Sequence, residues 1–132
     1  PDGSDVYNSI GAESRPAESI SASKKIQVPV ITLDDFAAEQ GIDKIDLVKM
    51  DAEGVEERIL KGARRLLAQS IDVSIVMELY EPSARLCGCS TEGVIRVLSE
   101  LGFSMFGTDG ERRPASGVDA SSSSLNVLFK RE

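Results

Sequence analysis

Three carboxylates in this chain stand at positions and spacings where chemistry is expected. Asp51 and Glu53 flank Ala52 and are followed by Gly54, inside the stretch IDLVKMDAEGVE at residues 45–56. Glu78 closes a second apolar run, DVSIVMEL, at residues 72–79. A carboxylate beside a hydroxyl can take up its proton or orient it, a role typically worth about 10²–10⁴-fold in rate. Three acids on one rim could also hold a divalent ion through oxygen, but no metal centre is expected. Each acid has a structural role open to it as well. Asp51 could cap the next helix, Glu53 could lie favourably against that helix's dipole, and Glu78 could pair with Lys49 or an arginine.

The elements that must position these acids are legible in the hydrophobic pattern. Ile45, Leu47, Val48 and Met50 form a short apolar run, which reads as a buried strand of a parallel sheet. The pattern then switches at once to helical period: Val55, Ile59, Leu60, Ala63, Leu66 and Leu67 form one stripe to about Gln69. Strand, turn and helix in that order are half of a βαβ unit. In open α/β sheets, ligands sit beyond the carboxyl ends of the strands, which is where Asp51, Glu53 and Glu78 fall. Gly54 suits the turn, because it allows positive φ or close approach of other groups. Glu57 and Lys61 have the favourable i, i+4 order, expected on the helix's outer face. Arg58, Lys61, Arg64 and Arg65 read as a solvated basic face.

Composition narrows the function classes. The chain has 132 residues, 41% hydrophobic and 28% charged, ordinary for one globular domain with a core. Its net charge of −7 and lack of a basic stripe argue against nucleic acid as partner. No apolar run approaches the roughly 20 residues of a membrane span. No signal peptide opens the chain, so a cytoplasmic address is the default. The first residue is Pro1, which suggests a piece of a longer chain. Cys87 and Cys89 are the only cysteines. One residue between them is poor zinc spacing, and with no histidine to complete a site they read as incidental thiols.

Taken in order, residues 6–10 allow a short strand and 13–24 read as a polar, serine-rich loop, so that residues 1–24 are expected to pack poorly and 25–132 to form the core. Ile26, Val28, Val30 and Ile31 make a β-branched run in which Pro29 points to an edge or a strand end. Thr32 is a helix N-cap with Asp35 three residues on, and Gly41 ends the short helix 33–40. After the strand 72–79, Ser90 caps a helix whose Val94, Val97, Leu98 and Leu101 face inward, and Gly102 stops it. Residues 103–106 form a strand, 107–123 a long polar loop, and 125–129 the last strand. The tail of helix, strand, loop and strand suggests an antiparallel pair closing an otherwise parallel sheet.

This order and its words resemble the FkbM family of S-adenosylmethionine-dependent methyltransferases. The resemblance lies in VITLDDF (30–36), IDLVKMDAEGVEERILKGARRLL (45–67), IVMELYEP (75–82), a helix ending in LGF (101–103), and LNVLFK (125–130), with YNSI (7–10) ahead of a variable loop. The most specific element is D-x-E-G at a strand end followed by a helix and K-G-A. The resemblance implies the C-terminal portion of a Rossmann-like class I methyltransferase fold: a mostly parallel sheet with an antiparallel terminal pair and strand order 3-2-1-4-5-7-6. Residues 26–31 would be the third strand, 45–50 the fourth and 73–78 the fifth. The family's glycine-rich cofactor loop and ribose acid have no counterpart in the first 44 residues, so two strands and two helices are expected upstream.

The implied function is S-adenosylmethionine-dependent methyl transfer, as O-methylation of a sugar or natural-product hydroxyl. The cofactor is S-adenosylmethionine and the partner a small-molecule or saccharide acceptor. On this reading Asp51, Glu53 and Glu78 are the catalytic acids. Asp51 also meets the cofactor, and Asp34, one strand back, touches its adenine side unless it only stabilises its helix's first turn. The alternative is a truncated or degenerate, non-catalytic Rossmann-like domain, and the 132 residues alone are expected not to bind the cofactor. Two other expectations concern topology. A bacterial receiver domain, which also carries an aspartate after a hydrophobic strand, is disfavoured because no lysine follows MELYEP. With its neighbour absent, the strand 45–50 presents an open hydrophobic edge, to be covered by residues 26–31 or by self-association with a second copy of the chain.

Overall fold

The computed structural model describes residues 27–114, 116 and 118–132. The chain divides into two units, residues 1–30 and 31–132. The expected strand at 6–10 and the packing of 1–24 lie outside the described residues. Of the run expected to form a third strand, residues 27–31 are not in a strand. Pro29 has no amide hydrogen to donate to a ladder, and Val28, Val30 and Ile31 are exposed.

In the second unit the elements run in the order α1 (Leu33–Gln40), β1 (Leu47–Met50), α2 (Glu56–Lys61), α3 (Arg64–Gln69), β2 (Ser74–Leu79), α4 (Glu81–Leu86), α5 (Thr91–Glu100), β3 (Ser104–Gly107), β4 (Arg112–Arg113) and β5 (Leu125–Lys130). The described strands form one sheet in the order β1-β2-β5-β3-β4. The order β1-β2-β5-β3 is that of strands 4-5-7-6 in the expected fold. The expected direction is corrected, however: the sheet is mostly antiparallel. Only β1 and β2 run parallel, with Leu47 opposite Ser74 and Met50 opposite Met77. The reason lies in the chain's return path. After β3, residues 108–124 carry the chain back so that β5 inserts between β2 and β3, antiparallel to both. The short β4, inside the expected polar loop, adds a third antiparallel ladder against β3.

Burial along β2 alternates. Ile75, Met77 and Leu79 are buried, Val76 is exposed, and Ser74 and Glu78 are half-buried. A parallel strand covered on both faces would read as buried throughout; here one face carries the core. Val127 and Phe129 of β5 and Leu60, Val97 and Leu98 of the helices complete that core. Of the residues expected inside, Leu66, Ile75, Val97 and Val127 are buried, while Val48, Ile59 and Leu101 are only partly so.

The helix expected from Val55 to Gln69 is two helices, α2 and α3, parted at Gly62 and Ala63. The start of α1, with Thr32 just ahead of it, docks into the break. The Asp34 amide donates to the Gly62 carbonyl at 2.9 Å. A Cβ on Gly62 would lie 3.2 Å from Thr32 Cβ. Ala63, at the start of α3, has no side-chain cap to offer. Asp34 supplies it from 31 residues away in sequence: its carboxylate accepts from Arg65 N at 3.0 Å and from Leu66 N at 2.8 Å. Orphan amides at a helix start need such acceptors.

The remaining helix ends obey local chemistry. Thr32 Oγ1 accepts from Asp35 N, and Ser90 Oγ accepts from Gly93 N. Gly41 ends α1 in the left-handed conformation at φ +66°, with Ile42 N donating back to Ala37 O. At the other end of the sheet Arg131 donates to carbonyls of Leu67, Ser70 and Leu101, tying the ends of α3 and α5 together. Cations suit helix C-termini, and the same guanidinium lies 4.1 Å from the centre of the Phe103 ring.

Candidate functional site

β1 and β2 are parallel and in register, so the residues after Met50 and Met77 emerge at the same edge of the sheet. Asp51 comes directly after Met50 and Glu78 directly after Met77. β5 pairs antiparallel to β2, with Glu78 opposite Asn126, so the segment leading into β5 arrives at that edge too. The result is a cavity of about 320 Å³ lined by Asp51, Glu53, Gly54, Glu56, Glu78, Tyr80, Ser83 and Ser122–Ser124. All three acids singled out as catalytic therefore share one cavity, at the carboxyl end of the parallel pair.

Their surroundings separate the roles left open. Asp51 is not a helix cap: α2 begins at Glu56, and its N-cap residue, Val55, makes no side-chain cap. The Asp51 carboxylate instead lies 3.4 Å from Lys49 Nζ in an exposed pair. Lys49 is thus engaged by Asp51 rather than by Glu78. Among the described residues no cation pairs with Glu53 or Glu78. No three acids or thiols among the described residues are grouped as a metal-ligand set.

Asp34 is not among the residues lining this cavity. Both of its carboxylate oxygens accept amides at the start of α3, and its carbonyl accepts from Arg65.

The backbone of the acid turn is unusual. Glu53 has φ +55°, the only non-glycine residue with positive φ among those described. Gly54 is next at φ +104°, and a Cβ there would fall 2.3 Å from the Ser83 carbonyl oxygen. Glycine's two permissions, positive φ and close approach, are both used here. From the α4 side, Cys87 Sγ lies 3.7 Å from the Glu53 carbonyl oxygen, and the Cys87 carbonyl accepts from Arg58 at 2.6 Å. The arginine expected on a solvated face thus ties α2 to α4.

Sequence reasoning missed several residues of this rim. Glu56 is 7% exposed, and its Oε1 accepts from Ala52 N at 3.0 Å and Gly54 N at 3.2 Å. The signal was present: a glutamate two residues after the turn glycine has the reach to fold back on the turn's amides. Ser122 and Ser123 lie in the expected polar loop and Ser124 directly after it, and their hydroxyls carry no signal of a site in the sequence.

Glu57, expected on an outer face, is buried instead. It keeps its pair with Lys61, at 2.6 Å, and also accepts from Ser90 N at 3.0 Å. Gly93 of α5 leaves room for it, since a Cβ there would stand 2.2 Å from Glu57 Oε2. The Lys61 hydrogen bond chiefly, against the opposing effect of burial, holds the Glu57 carboxyl below its ordinary pKa. Glu81 at the start of α4 is held down likewise, mainly by the hydrogen bond from Thr91 Oγ1 at 2.6 Å and by that from Thr91 N. Two ionised glutamates thus join α2 and α4 to α5.

Among the described residues no helix is long and apolar enough to cross a membrane. No curated protein and no solved structure matches the chain. The sequence profile of the Methyltransferase FkbM domain matches residues 2–105. That span includes β1, the acid turn, β2 and α5, and ends in β3, ahead of the serines and β5 that complete the cavity. With the D-x-E-G turn at the end of β1 and Glu78 beside it on β2, the match leaves one conclusion: this chain belongs to the FkbM methyltransferase family.

Proposed function

We propose that the cavity at the carboxyl ends of β1 and β2 is the acceptor site of an S-adenosylmethionine-dependent O-methyltransferase acting on a sugar or natural-product hydroxyl. One observation carries the reading: Asp51, Glu53 and Glu78 line a single cavity at the strand edge where α/β sheets bind ligands.

The donor set fits the cofactor that the family implies. S-adenosylmethionine supplies an electrophilic methyl group on a sulfonium centre. Sulfonium and ammonium are both cationic, and the cavity offers four carboxylates, of which only that of Asp51 has a cation partner among the described residues. Asp51 is the acid proposed to face the cofactor as well as the acceptor.

The chain's own residues then have distinct tasks. A hydroxyl acceptor must give up its proton as its oxygen attacks, so a carboxylate within about 2.6–3.2 Å of it acts as general base. Asp51 and Glu53, on the turn, are proposed for that contact. Glu78, on β2, which is paired on both edges, is proposed to orient the acceptor, and Ser122–Ser124 add hydroxyls able to donate to and accept from a polyol. Holding the acceptor in line removes several kcal/mol of barrier, of a total that positioning can bring to about 7–11 kcal/mol.

The test is methyl transfer by the full natural chain from tritium-labelled S-adenosylmethionine to a panel of free hexoses and hydroxylated natural products. Asp51→Asn, Glu53→Gln and Glu78→Gln are compared with wild type on whichever acceptor is labelled. At least one of the turn variants is expected to lose about 10²–10⁴-fold in turnover, with cofactor affinity little changed. Turnover within about threefold of wild type in all three, against that expected loss, refutes the assignment.

A further inference from the structure

We propose that Glu56 is the positioning residue of this site: its carboxylate fixes the backbone from Ala52 to Gly54 and so sets where Glu53 stands in the cavity. The inference rests on the functional reading of the cavity for its consequence, but not for its geometry.

Glu56 is the first residue of α2, yet its side chain turns back on the chain that leads into the helix. Oε1 accepts from the amides of Ala52 and Gly54, on either side of Glu53. The Gly54 bond is buried, and without Glu56 its amide would be left unsatisfied away from water. Two amides bridged by one oxygen pin the Asp51–Ala52 and Glu53–Gly54 peptide units, which bracket the Ala52–Glu53 unit between them.

The conformation so fixed is one that glutamate resists. Glu53 is left-handed, a region costly for residues with a Cβ, and such residues persist only where their surroundings over-determine them. Glu56 supplies that determination from one side. On the other, Gly54 is pressed against the Ser83 carbonyl of α4. With its backbone held left-handed, Glu53 directs its side chain to the cavity without any hydrogen bond to its own carboxylate among the described residues. A catalytic acid free of partners needs its geometry imposed through the backbone, and Glu56 does this while itself lining the cavity.

The experiment is solution NMR on the ¹⁵N-labelled chain, without acceptor or cofactor. Two signatures are read. One is the strong intraresidue amide–Hα cross-peak of Glu53 that a positive φ produces; the other is slow hydrogen exchange at Ala52 and Gly54. Glu56→Gln keeps a carbonyl oxygen at the same reach and is expected to preserve both, with exchange within threefold of wild type. Glu56→Leu keeps the volume but accepts nothing, and is expected to lose the cross-peak and to exchange at least tenfold faster. Slow exchange at Ile75 and Met77 reports that each variant is folded.

Retention of both signatures in folded Glu56→Leu overturns the proposal, because packing alone would then hold the turn. Loss of both in Glu56→Gln overturns it equally. If Glu56→Leu does not fold, wild type decides: Ala52 and Gly54 amides exchanging at the intrinsic rate of an unprotected peptide amide refute the role, and protection of both supports it. Failure of the functional reading would appear separately, as unchanged turnover in Asp51→Asn, Glu53→Gln and Glu78→Gln.

Discussion

A methyl group on Gly54 would stand 2.3 Å from the carbonyl oxygen of Ser83, so the acid turn and the backbone of α4 touch with nothing between them. Because Ser83 belongs to a helix, neither side of this contact can retreat without unpacking α4. At φ +104° the residue is also outside the range of L side chains. Gly54→Ala is therefore expected to destabilise the domain by at least about 2 kcal/mol, combining overpacking with an incompatible backbone. Urea unfolding followed by far-ultraviolet circular dichroism measures it; a loss below about 0.5 kcal/mol, the scatter of neutral surface changes, would show that the two segments move apart freely.

Asp34 does for α3 what Ala63 cannot. Asp34→Ala leaves the Arg65 and Leu66 amides without their acceptor, and the cost expected for a lost cap is about 0.5–2 kcal/mol. Asp34→Asn, which keeps one carbonyl oxygen, is expected to lose less. Equal melting temperatures for wild type and Asp34→Ala would show that the carboxylate is not needed there and is available for another partner.

Glu57 and Glu81 make stability depend on pH. Both have pKa values lowered by folding, Glu57 chiefly by the Lys61 hydrogen bond and Glu81 chiefly by that from Thr91. A lowered carboxyl pKa adds stability above the unfolded value, near 4.3 for glutamate, and that stability is lost as pH falls through the lower folded value. The free-energy gap between wild type and Glu57→Gln is therefore expected to be widest near neutrality and to narrow below about pH 4. Unfolding curves at pH 7, 5, 4 and 3 read this directly, and a gap independent of pH would rule the linkage out.

Lys49 is the one charge on β1, an edge strand of the sheet. Leu47 beside it is 65% exposed, and among the described residues no strand pairs with the free edge of β1. A lysine on an edge strand disfavours pairing with another chain. Lys49→Val would give an uninterrupted apolar edge, Leu47 to Met50, and is expected to promote the self-association anticipated from the sequence. Sedimentation velocity across a tenfold concentration range checks it: a greater association in the variant is expected, and identical profiles would exclude this edge as the contact.

Much of the fold could be read in order from local rules. The caps at Thr32 and Ser90, the stop at Gly41, the apolar runs of β1, β2 and β5 and the stripe of α5 depend on near neighbours, so spacing and residue type suffice. The family resemblance carried the strand order β1-β2-β5-β3. The three acids of the cavity were legible for the same reason: a side chain at the end of a parallel strand has its destination set by topology. Strand direction was legible in part: β1 and β2 run parallel and β3 and β5 form the expected antiparallel pair, but the sheet as a whole is mostly antiparallel because β5 also pairs with β2 and β4 adds to β3.

What the sequence by itself determined was the periodicity, the helix ends that cap themselves, the acidic rim and the family. Tertiary structure decided what depends on partners remote along the chain. It split the expected long helix at Gly62, because Asp34 arrives there to supply an absent cap. It drew Glu57 inward, because Gly93 leaves space and Ser90 offers an amide. It required glycine at position 54, because a carbonyl of α4 occupies the place of a side chain. Each of these rests on satisfying or excluding a polar backbone group at close range, and a hydrogen bond selects its partner by distance in space, which sequence separation does not encode.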